Sequence, residues 1–483
     1  MKKMAVACLI TFAFCLMSGN NECLAVDNPE ATKKLVGLIK TELAAKQIDE
    51  IRSLIEQGAN VNAVNPNGST LLLSASLNGH LEIVRLLLEK GAQVNKVNNN
   101  GAAPLFLAGL QGHLEIVKLL LDKGAQVDKE TKEGVTPLYI ASQNGHLEIV
   151  RILLDKGAQV DKAVHYRSKP LSADDKEMFD RYFANEKKSD NAIYIEATPL
   201  IIASQNGHLE IVKLLLDKGA QIDKETKEGF TPLYVACSQG RLDTVKLLLD
   251  KMRTIDKTAP SKALFQYLNR GNGAPHMVRL LIAEGADVNY SDEQYHITLL
   301  HNASHYGHIE AVKLLVAGGA NVNARNGEGN TALYAAVHEK QAEILAFLIE
   351  KGADVNTKNK FGYTAIRQAS IWGDPEVVKL IISKGADVNV KDNEGNSPLH
   401  TAVRKGNKEI ALFLIDKGAD INMAGKFGDR PVHVAIGYGD TDFIKLLIEK
   451  GADLSLKNDK GNTAYDLAVK RGLKDIVENL RKK

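Results

Sequence analysis

The chain has 483 residues, of which 44% are hydrophobic and 25% charged. This composition is typical of folded soluble proteins, and the length suggests more than one domain. Its 61 Lys and Arg nearly balance its 59 Asp and Glu. A surface that binds DNA or a membrane usually carries a strong basic excess, so nucleic acid is not an expected partner.

Residues 1–25 have the pattern of a secretory signal peptide. Residues 1–3 supply a positive start, and residues 4–17 are apolar with one exception. This run is shorter than the about 20 apolar residues that span a bilayer, but it fits the apolar core of a signal peptide. The small residues Cys23 and Ala25 therefore predict cleavage directly after Ala25.

A short signal that begins with lysines is typical of bacteria, so the mature protein is expected to be exported, to the periplasm or the medium, without a stable membrane anchor. The alternative is that the segment stays uncleaved as an N-terminal anchor. Lipidation of Cys23 is disfavoured because residues 20–22, which precede it, are not small. Only Cys237 follows the signal, so no internal disulfide is expected. Its place after Ala236 favours a packed thiol over a reactive one.

A Gly-Ala pair closes an apolar run many times along the chain, most often at intervals of 33 residues. A period of this length is the signature of a repeat architecture. One interval of 66 residues contains a boundary at 252–253 that has lost its Gly-Ala pair, and one of 62 residues carries 29 extra residues. These intervals predict thirteen units. The glycines of the pairs are Gly58, Gly91, Gly124, Gly157, Gly219, Gly285, Gly319, Gly352, Gly385, Gly418 and Gly451.

Each unit reads as two short helices and an extended finger. In one unit, Thr136 can cap the first helix, Pro137 fits its first turn and Gly145 ends it. A second helix is predicted over 146–156, closed by Gly157 in left-handed geometry. Helices this short are marginal alone, so each unit must bury its apolar face against its neighbours. The predicted apolar face of the second helix is Leu147, Val150, Ile152, Leu153 and Leu154.

The unit resembles the ankyrin repeat, whose pattern is roughly G-x-T-P-L-H-x-A-A-x-x-G-H-x-x-x-V-x-L-L-L-x-x-G-A-x-x-N, and the resemblance covers residues 34–483. It implies an all-α repeat solenoid of paired antiparallel helices with β-hairpin fingers, in which fingers and first helices line a concave groove. It also implies a scaffold that binds proteins. The pattern is met most closely at 134–161, 198–223, 229–249, 329–356 and 395–422.

Two departures from the repeat pattern divide the array. The unit at 257–289 lacks Thr-Pro-Leu, and the boundary before it lacks Gly-Ala. We therefore expect an N-terminal block over 26–256, a C-terminal block over 257–483, and a weak joint between them. The extra residues form an insertion over 165–196 in a finger of the first block.

The histidines invite a metal or catalytic interpretation, which the repeat argues against. One set recurs once per unit, so its members lie about 10 Å apart, too far to share a zinc ion. A second set occupies the Leu-His position of the repeat. A hydrogen-bonding structural role is expected for both, and the motifs of common hydrolases, phosphate-binding loops and zinc proteases are missing. We expect no enzymatic activity, metal or cofactor. The sets are His80, His113, His146, His208 and His308, and His301, His400 and His433.

Large aromatic and basic residues mark the candidate binding surface in the C-terminal block. At the exposed ends of first helices, the corresponding positions of the N-terminal block are polar. Trp, Tyr and Arg are enriched in binding hot spots, which favours protein binding here. The alternative is that the aromatic residues at 372 and 438 pack back onto the neighbouring finger. The candidates are Tyr306, Trp372, Arg404, Lys405 and Tyr438 at helix ends, and Phe361, Tyr363 and Phe427 at finger tips.

The insertion is a second candidate for partner binding. Residues 172–175 resemble the start of a helix, and Phe179 and Tyr182 would share one face of that helix. Insertions in repeat proteins often project from the binding side. The alternative is a tolerated surface excursion that folds over its own groove.

Together these features predict an exported ankyrin-repeat scaffold, monomeric, that binds one or more proteins through its concave face. One alternative keeps the fold and makes the chain a secreted effector that binds host-cell proteins. Another is an undetected enzymatic activity, for which only the short insertion is unassigned. The identity of the partner does not follow from the sequence.

Overall fold

The computed structural model describes residues 28–38, 48–167, 194–372, 374–475 and 478. The regular structure of these residues is almost entirely α-helical. The chain divides into two compact units, one that ends at Ile255 and one that begins at Asp256, called here the N-terminal and C-terminal units. Separate folding of the blocks 26–256 and 257–483 stays a prediction. The predicted signal peptide lies outside the described residues.

The N-terminal unit is a stack of helix pairs, each with a first and a second helix. First helices pack on first helices of the neighbouring repeats, and second helices pack on second helices. Each pair therefore covers the apolar faces of its neighbours. The pairs are Pro29–Leu38 with Ile48–Glu56, Leu71–Asn78 with Leu81–Glu89, Pro104–Gln111 with Leu114–Asp122, Pro137–Asn144 with Leu147–Asp155, Pro199–Asn206 with Leu209–Asp217, and Pro232–Ser238 with Leu242–Arg253.

The C-terminal unit repeats the same arrangement, and a further first helix, Ala464–Lys470, follows its last pair. A short 3₁₀ turn, Lys426–Gly428, occupies one finger. The predicted all-α stack of paired helices is confirmed in each unit. The pairs are Ala259–Asn269 with Pro275–Ala283, Leu299–His305 with Ile309–Ala317, Ala332–His338 with Ala342–Glu350, Ala365–Trp372 with Pro375–Ser383, Pro398–Lys405 with Lys408–Asp416, and Pro431–Tyr438 with Thr441–Glu449.

The helix boundaries follow the predicted signals. The Thr136 side chain accepts a hydrogen bond from the N–H of Tyr139, and Pro137 fills the first turn. Gly145 ends the helix at φ 82°, in the left-handed region that costs glycine little. The second helix ends before Gly157, at φ 88°, as predicted. The repeat signals therefore act locally to set where each helix starts and stops.

The core of each unit comes from one face of each second helix and most of each first helix. In the second helix Leu147–Asp155, Ile149, Val150 and Leu153 are at most 2% exposed. Leu147, Ile152 and Leu154, which the sequence placed on the same face, are only half-buried. The predicted face was too wide because a helix this short buries a stripe narrower than its apolar content, and it omitted Ile149, which lies on that stripe beside Val150 and Leu153.

An asparagine at the base of many fingers joins neighbouring repeats. Asn389 donates from Nδ2 to the carbonyl of Gly418 at 3.0 Å and accepts at Oδ1 from the N–H of Asp420 at 2.7 Å. Asn95 makes the same two bonds in the N-terminal unit. Asp128 stands at the corresponding position of the following repeat, where its carboxylate accepts from the next repeat but cannot donate.

The finger that carries the insertion is a two-stranded antiparallel hairpin. Strands Val164–Arg167 and Tyr194–Ala197 pair with Val164 opposite Ala197. The residues between the strands, including the predicted helix with Phe179 and Tyr182, lie outside the described residues. No described helix is both long and apolar enough to cross a bilayer.

Candidate protein-binding surface

Most fingers turn around an Asn or Asp side chain that holds two backbone N–H groups. Asn359 Oδ1 accepts from the N–H groups of Phe361 and Tyr363, both at 2.9 Å. Asp392 Oδ1 holds the next finger in the same way, so its Asp-Asn-Glu-Gly sequence forms a finger turn. The residue just before the left-handed position of the turn projects at the tip of the finger.

The tips form a row that backbone hydrogen bonds hold in place. The carbonyl of Phe361 accepts from the N–H of Asn393 in the next finger at 3.1 Å, and the carbonyl of Phe427 accepts from Asp459 at 3.0 Å. We call the tip residues of the C-terminal unit the tip row. The tip row consists of Tyr295, Glu328, Phe361, Glu394, Phe427 and Lys460.

Phe361 and Tyr363 lie together but differ in exposure. Their ring centroids are 5.6 Å apart, and Phe361 is 51% exposed. Tyr363 is only half-buried, because the guanidinium of Arg367 stacks on its ring with Cζ 3.3 Å from the centroid. Phe361 thus presents its ring to solvent, whereas Tyr363 supports it from beneath.

A buried ion pair lies beneath this finger and was not predicted from the sequence. Arg367 Nε lies 3.0 Å from Asp392 Oδ2, and the two side chains are 7% and 0% exposed. Arg367 occupies the position that His301 and His400 take in other repeats. Two features of the sequence could have indicated the ion pair. Arg367 replaces the usual histidine, and Asp392 stands at the finger position that Asn359 has in the preceding finger.

Phe427 is an exposed tip residue that lies in an unusual turn. It lies at φ 60° and ψ 24° within Lys426–Gly428, a conformation that is strained for a bulky residue. The residue is 60% exposed, and Lys426 Nζ lies 5.3 Å from the centroid of its ring. The same ammonium is 2.7 Å from Glu394 Oε1, which joins this tip to the preceding one.

The ends of the first helices lie beside the tip row. The pKa of Glu394 is lowered, first by the Lys426 hydrogen bond and further by the positive charges of Lys426, Arg404 and Arg367. Arg404, half-buried, and Lys405, exposed, form the last turn of Pro398–Lys405. Arg404 is therefore close enough to Glu394 for their charges to interact.

The other predicted helix-end residues differ in how they are held. Tyr438 ends Pro431–Tyr438 and is 65% exposed. Tyr306 is 42% exposed, but its hydroxyl donates to the carbonyl of Asn269 at 2.9 Å and its ring contacts His305. Trp372 is the last residue of Ala365–Trp372, and its side chain lies outside the described residues.

Tyr295 is a tip residue that the sequence analysis missed. Its carbonyl accepts from the N–H of Gly327 in the next finger, as the carbonyl of Phe361 does one pair of repeats later. The left-handed position after it is His296, at φ 53°, where other fingers have glycine. Tyr295 is 58% exposed. Because this finger has no glycine at that position, its turn could not be recognised from the sequence pattern.

Most histidines of the two sets make structural hydrogen bonds, as predicted, whereas His308 Nε2 is buried without a hydrogen-bond partner among the described residues. His113 Nε2 bonds the carbonyl of Leu77 in the preceding repeat at 3.0 Å. His400 Nδ1 accepts from the N–H of Ser397, and its Nε2 donates to the carbonyl of Asp429 at 3.1 Å. Within the described ranges, no three His, Cys, Asp or Glu residues are grouped to hold a metal ion. Burial raises the pKa of the Cys237 thiol, which keeps it protonated.

A family model described as "Ankyrin repeats (3 copies)" matches six overlapping or adjoining stretches that cover nearly all of the chain from residue 42 onward. No curated protein matches this sequence. The matched stretches are 42–131, 93–164, 171–260, 265–359, 352–425 and 422–483. Ankyrin repeats are typically non-enzymatic domains that bind other proteins. With its stacked helix pairs, finger turns and matches along almost its whole length, this chain belongs to the ankyrin-repeat family.

Proposed function

We propose that this chain is an exported scaffold that holds a partner protein on the tip row and adjoining first-helix ends of its C-terminal unit. The observation that carries the proposal is the exposure of Phe361, Phe427 and Tyr438, of which 51%, 60% and 65% is open to solvent. Covering apolar surface gains roughly 25 cal/mol per Å². Aromatic residues are also enriched among the few interface residues that carry most binding energy.

The two units differ at the same positions, which supports a division of roles. Asn67, Asn100, Glu133 and Glu228 stand at finger tips of the N-terminal unit, and all four are polar. A polar tip gains little when a partner covers it, because its hydrogen bonds to water must be replaced. The aromatic tips of the C-terminal unit are therefore the better anchors for a partner.

Capture of partners with tip variants tests the binding part of the proposal. The mature chain is immobilised as wild type, as Phe361→Ala/Phe427→Ala and as Glu133→Ala, and exposed to extract and medium from the organism that makes it. We expect the wild type and Glu133→Ala to retain the same protein, and the double variant to lose it. Equal recovery on all three proteins would contradict binding through the tip row.

Export rests on residues 1–25 and has its own test. Cell fractionation followed by N-terminal sequencing is expected to find a mature chain in the periplasm or medium that begins near Val26. A full-length chain in the cytosol that still carries Lys2 would contradict export. Recovery of the chain inside a second cell type would instead favour the host-directed effector.

A further inference from the structure

The aromatic residues of the tip row recur at every second finger. Tyr295, Phe361 and Phe427 stand at the first, third and fifth tips, and they are 58%, 51% and 60% exposed. The tips between them are the charged residues Glu328 and Glu394. The tip row thus alternates between apolar and charged along one edge of the C-terminal unit.

The alternation of aromatic and charged tips determines how far apart the apolar side chains of a ligand must be. Helices of neighbouring repeats pack about 8–10 Å apart, so tips two repeats apart are about 20 Å apart. An extended polypeptide advances about 3.3 Å per residue, so about six residues cover this distance. Because side chains alternate between the two faces of an extended chain, residues six apart point to the same side. All three aromatic tips can then be reached from one face of one extended segment.

Basic side chains outnumber acidic ones around Phe361 and Phe427, where Glu328 and Asp459 are the acidic neighbours besides Glu394. Lys360 precedes Phe361 and Lys405 ends a neighbouring first helix, and both are exposed. Lys460 is the next tip after Phe427. Glu394, between the two aromatic tips, already binds Lys426 at 2.7 Å, so its charge is largely balanced. A ligand with carboxylates beside its anchors would gain favourable charge pairs here.

We infer that the tip row binds an extended acidic polypeptide segment whose apolar side chains stand about six residues apart. This inference rests on the proposed function and narrows its ligand from a protein to an extended segment. An amphipathic helix fits the tip row less well, because its apolar stripe is continuous, with an apolar side chain about every 5 Å. Such a stripe would press apolar groups onto Glu328 and onto the Glu394–Lys426 pair and remove water from these charges.

Selection from a peptide library tests the inference on the whole chain. Random displayed peptides of about 15 residues are selected on the mature protein and depleted on Phe361→Ala/Phe427→Ala. We expect the enriched peptides to carry apolar residues six apart, with Asp or Glu beside the two anchors that cover Phe361 and Phe427. Enriched peptides with helical spacing of three or four, with basic residues, or with equal binding to both proteins would overturn the inference, and so would a selection that enriches none.

Affinity measurements on an enriched peptide give the decisive comparison. Fluorescence anisotropy of the labelled peptide is expected to show Kd raised about tenfold or more by Phe361→Ala and by Phe427→Ala, and unchanged by Glu133→Ala. A peptide in which one apolar anchor lies five instead of six residues from the next is expected to bind more weakly by a similar factor. The side chain of that anchor then points to the opposite face of the extended peptide, away from the tip row. If capture of a protein depends on the two phenylalanines but binding of no peptide depends on them, the result supports the proposed function and contradicts this inference.

Discussion

Arg367 Nε lies 3.0 Å from Asp392 Oδ2, and this ion pair joins the first helix of one repeat to the finger of the next. Both side chains are buried, and the ring of Tyr363 covers the guanidinium. Other repeats have a neutral histidine, such as His400, at the position of Arg367. This repeat has therefore exchanged a neutral hydrogen bond for a buried pair of charges, directly beneath the exposed Phe361.

Removing one partner of this pair is expected to destabilise the C-terminal unit strongly. Arg367→Ala leaves the Asp392 carboxylate buried without its counter-charge, which costs roughly 3–5 kcal/mol of the free energy of unfolding. Urea denaturation followed by circular dichroism measures this loss. Arg367→Ala/Asp392→Asn is expected to lose less than Arg367→Ala alone, because Asn holds the same finger turn at Asn359 without a charge. A double variant as unstable as the sum of its single changes would contradict the coupling.

Histidine at this position is expected to be tolerated. Thr364 Oγ1, at the start of the same helix, is buried without a hydrogen-bond partner among the described residues. In the repeat of His301, the corresponding Thr298 Oγ1 lies 2.7 Å from the Nδ1 of the histidine. Arg367→His/Asp392→Asn therefore restores a cap that the native chain lacks. We expect it to be clearly more stable than Arg367→Ala/Asp392→Asn in the same denaturation series.

The neutral form of His400 predicts that acid weakens the C-terminal unit. Nδ1 of His400 accepts from the backbone N–H of Ser397, and a backbone N–H can only donate, so protonation breaks this contact. Burial lowers the pKa of His400 to about 4. Between about pH 6.5 and 4 the unfolded chain binds the proton and the folded chain does not, so stability is complete above that window and falls as the pH drops through it, by about 3 kcal/mol at most.

His400→Gln is the control for this pH dependence. Glutamine at the third helical position can accept from the N-cap N–H without titrating. Thermal melts between pH 7.5 and 4 are expected to show a smaller fall of Tm for His400→Gln than for the wild type. Burial also lowers the pKa of His301 and His433, so part of the fall should remain. Identical slopes for the two proteins would contradict the role of His400.

The asparagine ladder predicts opposite effects for two reciprocal changes. Asn389→Asp removes the donor to the carbonyl of Gly418 and is expected to cost about 1 kcal/mol. Asp128→Asn supplies such a donor in the N-terminal unit and is expected to stabilise by a similar amount. Denaturant unfolding at pH 7 measures both. A gain from the first change or a loss from the second would show that the ladder does not limit the stability of the fingers.

Trp372 remains the best helix-end candidate that the sequence offered. If its indole binds the partner, Trp372→Ala is expected to raise the Kd of the captured partner while changing Tm little. Leu414 is fully buried, and Leu414→Ala is the matched control, expected to lower stability by roughly 2–5 kcal/mol. A large drop in Tm for Trp372→Ala with unchanged affinity would show that the indole packs against its own repeat.

The helices were predictable because each boundary is set by its own residues. Thr136, Pro137 and Gly145 act within one turn of the helix end that they define, and the structure places them as their chemistry requires. The same holds for the finger turn at Asp392, whose oxygen binds N–H groups two and four residues on. Such local signals do not depend on what packs against them.

The candidate surface was predictable only in part, because exposure depends on neighbours. Phe361 and Tyr363 are two residues apart and looked equivalent, but Arg367 covers only the second. Tyr295 was missed because His296 adopts the left-handed conformation usually left to glycine. The first outcome follows from a contact between a finger and the helix after it, and the second from a local backbone conformation, neither of which the repeat pattern specifies.

The central claim is that exposed aromatic tips of the C-terminal unit hold the partner, and one pair of numbers tests it most directly. For Phe361→Ala/Phe427→Ala, the Kd of the captured partner and the Tm are measured beside the wild type and Glu133→Ala. We predict a Kd raised about a hundredfold or more, with all three Tm values within about 2 °C because these rings are exposed. An unchanged Kd in the folded double variant would contradict the account.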